Sequence, residues 1–544
     1  MSDARISSFK GTTPSSTRMG AMLGIVTAGL GLVLLIAGLF GRLMTYDLRR
    51  DELMFVPPAR LLGEWELYSD FFYNHVPYSA WYYLGSGILF DEFGLLGSAR
   101  IGLFLAWLGL IAATGWVTLR LSGSPVLAVF SIIGIVTCEL FLTGAGMAAT
   151  NNLLPLPFAV IGLGLFLIET SKPAPRFLTL VLSGVALSIA AGMKVSAVLF
   201  IPPIALAAFL LPADVSMARR LKAVVLPLLI GGLIAALPLF AFLLADPGVF
   251  LAHVLGFHTG PHVAYWEANA ATEPGLALRL SGKLMLAHSA WVAGVGLVMV
   301  MAILSVLWII LRGGARVDEM QPSQLRHGGV VLAIIILTAS MAFVPTPGFP
   351  QYYIQPLVCL PLLLAVLFRR LDPPRRHEAV PVLAAGIVLM VILGLPRIGM
   401  GLVSLTEPSK FTSARFAGSG AVLRDAVAGS ALPDGPVATL LPIYPLEAGL
   451  SVYPEFATGP FAYRIAPFTD PELAGKYVMA GANDLPALFA DNPPSAFLLG
   501  YDSVLEAPLL SYARANNYRP VELSGLNNRY GQGVVYLKAA GAEQ

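Results

Sequence analysis

The sequence predicts a polytopic α-helical membrane protein of about eleven spans, ending in a water-soluble α/β domain outside the membrane. Three observations carry this expectation. Of 544 residues, 56% are hydrophobic and only 12% charged, against roughly a quarter charged in soluble domains. Mean hydropathy is +0.75, so most of the surface must face lipid. After about residue 397 the long apolar runs give way to short alternating patterns bounded by Asn, Gly and Pro, the signature of strands in water. The net charge of +2 comes without a basic block, which excludes nucleic acid as a partner. The two cysteines, Cys138 and Cys359, lie far apart in apolar runs and make neither a disulfide framework nor a zinc signature.

The first span runs from Gly20 to Gly41, behind a tail (1–19) that carries Arg5, Lys10 and Arg18. It reads as an uncleaved anchor, because it is long and ends in Leu39-Phe40-Gly41-Arg42 without a small-residue cleavage site. Further apolar runs follow at about 98–119, 124–143, 152–169, 177–192, 195–212, 223–245, 285–311, 329–345, 352–368 and 379–396, each near the length needed to cross a bilayer. One alternate set of connections holds Arg120, Lys172, Arg176, Arg219, Arg220, Lys222, Arg312, Arg316, Arg326, Arg369, Arg370, Arg375 and Arg376. That set is assigned to the cytoplasm with the N-terminus. The other set comprises 144–151, Lys194, 345–351 and two long loops, 42–97 and 246–284. It faces outward, although Arg42, Arg49, Arg50, Arg60 and Arg100 run against the charge rule and so call for a functional reason.

An odd number of spans places the soluble domain, residues 397–544, outside: the periplasm, if the membrane is the inner membrane of a Gram-negative cell. At roughly 150 residues it can bury its own core. Strand-like runs at 436–442, 496–500, 519–523 and 533–538 alternate with helical stretches at Ser413–Ala428 and Pro508–Asn516, which suggests a small α/β domain.

The densest polar region of the membrane part, 20–396, is the loop 42–97. It holds Arg49, Arg50, Asp51 and Glu52, then Asp70, Asn74, His75 and several aromatics, with apolar residues spaced for short helices at the membrane surface. In order, Asp51-Glu52, Asp70-Phe71-Phe72-Tyr73-Asn74-His75-Val76-Pro77-Tyr78 with Trp81, and Ser98-Ala99-Arg100 resemble the membrane glycosyltransferases of the GT-C class. The pattern is similar to that of protein O-mannosyltransferases and lipid A aminoarabinose transferases. Those have an acidic pair in the first outer loop, His-Pro-Pro or Lys-Pro-Pro about twenty residues on, and an arginine opening the next span. Here the middle element reads His75-Val76-Pro77. Gly192-Met193-Lys194-Val195-Ser196 and Gln351-Tyr352-Tyr353-Ile354-Gln355-Pro356-Leu357 resemble two further stretches of the same class.

The resemblance implies transfer of a sugar from a polyprenyl-phosphate donor to a lipid, glycan or protein acceptor on the outer face. Such a reaction needs cations for the leaving phosphate and a base for the acceptor hydroxyl. Asp51 is the expected base of an inverting displacement, with Glu52 and Asp70 as further catalytic candidates. Arg49, Arg50, His75, Arg100, Lys194, His258, Tyr352 and Tyr353 are the candidates for donor and substrate binding. Each has a plainer reading. Asp51 and Glu52 can pair with Arg49 and Arg50 at the interface, Asp70 and His75 can shape a turn, and Arg100 and Lys194 can anchor helix ends at headgroups. His253, His258 and His262 match no metal spacing, and no metal or cofactor is assigned. Two other classes compete. A transporter or lipid-linked glycan flippase would put polar groups at the bilayer midplane. A noncatalytic envelope assembly protein would explain the outer domain but not the clustered Asp, Glu, Arg and His.

Overall fold

A computed structural model describes residues 15–271, 276–312, 322–432 and 434–538. Of the expected cytoplasmic charges, Arg5, Lys10 and Arg316 lie outside the described residues, as does most of the tail. The first helix, Ser15–Thr45, contains the expected first span. Among the described residues, five helices are long and apolar enough to cross a membrane: Asp91–Ser122, Met217–Ala245, Gly294–Arg312, Pro350–Phe368 and Pro373–Ser404. A sixth arises if Gly29–Thr45 is joined to Arg50–Leu61 across a bend of 82°. Other apolar runs form shorter helices, Pro125–Thr137, Pro155–Thr170, Phe177–Met193, Val195–Ala208 and Leu325–Met341. By length and composition, then, five of the described helices, or six with the bent pair, are candidate spans, and the expected count of eleven is neither met nor excluded by this criterion. The chain is an integral membrane protein, with Leu229, Leu233, Ile234 and Leu237 exposed along one helix as lipid requires.

In lipid the helices gain little from burying apolar surface and pack through small residues. A Cβ on Gly401 would meet the Gly38 carbonyl oxygen at 1.9 Å, so glycine lets Pro373–Ser404 lie directly on the first helix. Two other helices begin with one device. Gly94 (φ +74°) and Gly294 (φ +50°) take left-handed backbone at the first position, and each leaves room for a carboxylate from elsewhere. Glu447 accepts from the Leu95 N–H at 2.9 Å, and Glu139 accepts from the Val295 N–H at 3.1 Å. Each anion faces the positive end of a helix dipole. Glu139, an acid of the third expected span with no role assigned by sequence, is thereby accounted for.

The C-terminal segment opens with the helix Thr412–Ala428 and forms a four-stranded mixed sheet of β1 (Val437–Ala438), β2 (Ala496–Leu499), β3 (Tyr518–Val521) and β6 (Val534–Lys538) in the order β1-β2-β6-β3. β4 (Asn527–Asn528) and β5 (Gly531–Gln532) make a separate hairpin. β1 and β2 run parallel, and β6 pairs antiparallel with both β2 and β3. All four β2 residues are buried, which is why this strand reads as a continuous apolar run. The helix Ala507–Ala515 connects β2 to β3. This segment is fastened to the helices by Glu447, by an Arg50–Asp502 ion pair at 2.9 Å and by a Tyr477 O–H that donates to the Ala252 carbonyl at 2.8 Å.

Candidate active site

After the first helix the chain bends sharply and enters the short helix Arg50–Met54. The Glu52 carboxylate reaches back to accept from the Arg49 N–H at 2.9 Å, closing the first turn. Consecutive residues on a tight helix point about 100–120° apart. Asp51 and Glu52 therefore diverge, Asp51 toward a cavity and Glu52 into the protein.

The cavity has a volume of about 640 Å³, within the usual range for ligand sites. Its wall takes residues from every connection assigned outward by charge: Asp51 and His75, Asn151, Lys194, His258, and Gln351. Phe461, Arg464 and Tyr530 of the C-terminal segment complete it.

Asp51 is open to the cavity but remote from bulk water. Burial pushes its carboxyl above the ordinary carboxylate range, and Arg49, Arg464 and Lys194 oppose that rise. Gln351 donates to its Oδ2 at 3.3 Å. Lys194, in the connection between two apolar helices, donates to Asn152 Oδ1 at 2.5 Å and sits 5.6 Å from the centre of the Tyr352 ring. Burial lowers its ammonium to about 8, with Asp51 opposing. His75 stacks on Phe55 with ring centres 4.8 Å apart, and His258 Nε2 bonds the Asn74 carbonyl at 2.8 Å. Burial holds both imidazoles neutral: His258 falls to about 4 and His75 well below its ordinary value.

Other expected site residues stand elsewhere. Glu52 and Arg100 are both fully buried and pair through Nη2–Oε2 at 3.1 Å and Nε–Oε1 at 3.2 Å. Glu52 also accepts from the Ala149 N–H at 2.8 Å, and Arg100 donates to the carbonyls of Leu43, Met44 and Tyr46. Neither lines the cavity. The phosphate contact expected of Arg100 is not available from this position, outside the cavity wall, and the pair instead ties the first loop to the second long helix. Asp70 is exposed and accepts from the Glu66 N–H at 2.8 Å, a loop closure away from the cavity. Tyr353 is fully buried, with its O–H donating to the Lys283 carbonyl at 3.0 Å. Arg50 reaches the cavity edge, but its charge is committed to Asp502 and its guanidinium to the Tyr530 ring at 4.8 Å.

Asn152 and Gln351 also belong to the wall. Their sequence signal was only adjacency to the connections that carry Lys194's partner turn and Tyr352. Among the described residues, no group of three or more His, Cys, Asp or Glu is arranged to hold a metal ion.

No protein-family model and no curated protein matches the chain. Two crystal structures of ArnT from Cupriavidus metallidurans are similar to it. The one bound to undecaprenyl phosphate superposes with a TM-score of 0.58 at 14% identity, over 97% of this chain and 99% of that one. The apo form gives 0.55 at 15% identity, over 96% and 98%. At this identity the likeness is one of fold, and it spans both the helical part and the sheet: the chain has the GT-C fold of ArnT along nearly its whole length.

Proposed function

We propose that the protein is an integral-membrane glycosyltransferase that moves a sugar from a polyprenyl-phosphate donor to a hydroxyl acceptor on the outer face of the membrane. The observation that carries this reading is the setting of Asp51. It is the only carboxylate among the described residues of the cavity wall, and Arg49, Lys194 and Arg464 surround it. The acceptor hydroxyl oxygen attacks the anomeric carbon while its proton passes to Asp51. The bond from that carbon to the phosphate oxygen breaks, and the electron pair leaves with polyprenyl phosphate, whose charge is met by Lys194 and Arg49. One carboxylate suffices for such an inverting displacement, whereas hydrolases place two across the bond. The upward shift of Asp51 makes it a stronger base than an ordinary carboxylate once ionised.

Supporting this are the undecaprenyl phosphate in the similar ArnT structure and the convergence of all five outward connections on one cavity. That convergence also fits eleven spans, an N-terminus inside and residues 397–544 outside, in a cytoplasmic membrane. A flippase is less well supported, because the charged groups of the cavity, Arg49, Arg50, Asp51, Lys194 and Arg464, come from the outward connections and the C-terminal segment. Purified protein in detergent, given radiolabelled polyprenyl-phosphate sugars and an envelope extract, is expected to yield a labelled acceptor with release of polyprenyl phosphate. Donor binding without transfer to any component would contradict the proposal.

A further inference from the structure

Five buried polar atoms in the cavity wall have no hydrogen-bond partner among the described residues: Asn74 Oδ1, His75 Nε2, His262 Nδ1, Trp266 Nε1 and Arg464 Nε. Native proteins leave few such groups, and each costs free energy unless something completes it. Here they gather in the wall of one cavity and mix hydrogen-bonding types. The Asn74 oxygen only accepts, the Trp266 and Arg464 nitrogens only donate, and a neutral imidazole nitrogen does either according to tautomer. Hydroxyl groups both donate and accept, so a ring that carries several of them matches the set.

The same region supplies flat apolar surface. The Arg464 guanidinium lies 4.8 Å from the Trp266 ring centre and 4.5 Å from that of Phe461, and Trp266 meets Phe349 at 6.3 Å. Charge narrows the choice further. Arg464 is 6% exposed and makes no ion pair or hydrogen bond from its guanidinium among the described residues. Burial keeps His75 and His262 uncharged by pushing them well below their ordinary values. Asp51 already faces three cations and the Gln351 amide. An ammonium group entering this space would meet fixed positive charge and find no carboxylate left for it.

We propose that this wall, built from both long loops and the C-terminal segment, is the sugar subsite, and that it takes a hydroxylated sugar without positive charge and rejects an aminosugar. The inference rests on the polyprenyl-phosphate reading above and adds the class of sugar.

The test is equilibrium binding of three probes to the full-length protein in detergent: undecaprenyl phosphate, its glucose conjugate, and its glucosamine conjugate with the amine protonated. The glucose conjugate is expected to bind at least about tenfold more tightly than the glucosamine conjugate, and more tightly than the bare lipid phosphate. Asn74→Asp, which adds a carboxylate to the wall, is expected to narrow the ratio between the two conjugates severalfold, and its unfolding temperature in detergent reports that the variant is folded. Equal or tighter binding of the glucosamine conjugate by the unaltered protein would overturn the charge selection, and a glucose conjugate no tighter than the bare lipid would remove the subsite. Failure of all three probes to bind would instead overturn the donor reading itself.

Discussion

Arg100 and Arg464 are both buried arginines, yet the first is paired with a carboxylate and the second, among the described residues, is not. Arg100 spends its guanidinium on a two-point pair with Glu52 and on three backbone carbonyls. Arg464 touches aromatic faces and has an unpartnered Nε at the cavity. Burial lowers its guanidinium to about 10, with the charges of Asp51 and Asp502 only partly opposing. A buried cation paired with a buried carboxylate and outside the cavity is scaffold, because any ligand would first have to break that pair. One held open at the edge of a cavity costs stability that only a bound partner repays. In this molecule the motif arginine lies behind the site, and an arginine more than 350 positions away in sequence faces the cavity.

The sharpest break of that comparison comes from Glu52→Gln. It leaves the Arg100 charge buried without its counterion, a loss of about 3–5 kcal/mol, and should appear as a large fall in unfolding temperature in detergent with activity lost in proportion to folded protein. Retained stability with abolished turnover would return Glu52 to the catalytic group. Arg464→Gln should do the reverse: little change in unfolding temperature, and about tenfold weaker binding of the sugar-loaded donor. A strongly destabilised Arg464→Gln would make that residue scaffold too.

The pH dependence sharpens the same contrast, since both limbs come from cavity groups. Asp51 acts as base only when ionised. Its pKa is raised, so activity should fall on acidification at a higher pH than an ordinary carboxylate would give. On the proposed mechanism Lys194 must be protonated to hold the phosphate. Its pKa is lowered to about 8, so donor affinity should weaken as pH rises through about 8. Lys194→Gln should abolish the alkaline limb, visible in binding curves taken across that range. The smallest effect is expected of Asp70→Asn, which removes one exposed loop hydrogen bond and should leave donor affinity and turnover within about twofold.

Membrane class, the terminal sheet and the importance of the loop 42–97 were legible because they rest on composition and local period. What the local pattern could not resolve is which of two neighbours faces the site. Asp51 and Glu52 adjoin, as do Tyr352 and Tyr353, and in each pair one side chain lines the cavity while the other is buried behind it. A tight helical turn at Arg50–Met54 and another at Pro350–Tyr353 separate them, and their phase depends on where the preceding helix ends. The aromatic segment from Tyr444 to Arg464 also divides. Tyr444 and Tyr453 are core, Glu447 caps a helix, and only Phe461 and Arg464 reach the cavity. Contacts over such separations leave no mark on a single sequence.

The central claim is that Asp51 takes the acceptor's proton inside a cavity that holds the donor phosphate. Measuring donor affinity and turnover together in Asp51→Asn tests it most directly. The account predicts donor affinity within a fewfold of the unaltered protein and turnover lower by at least about a hundredfold, the scale of a lost general base. Near-normal turnover in a folded Asp51→Asn protein would contradict it.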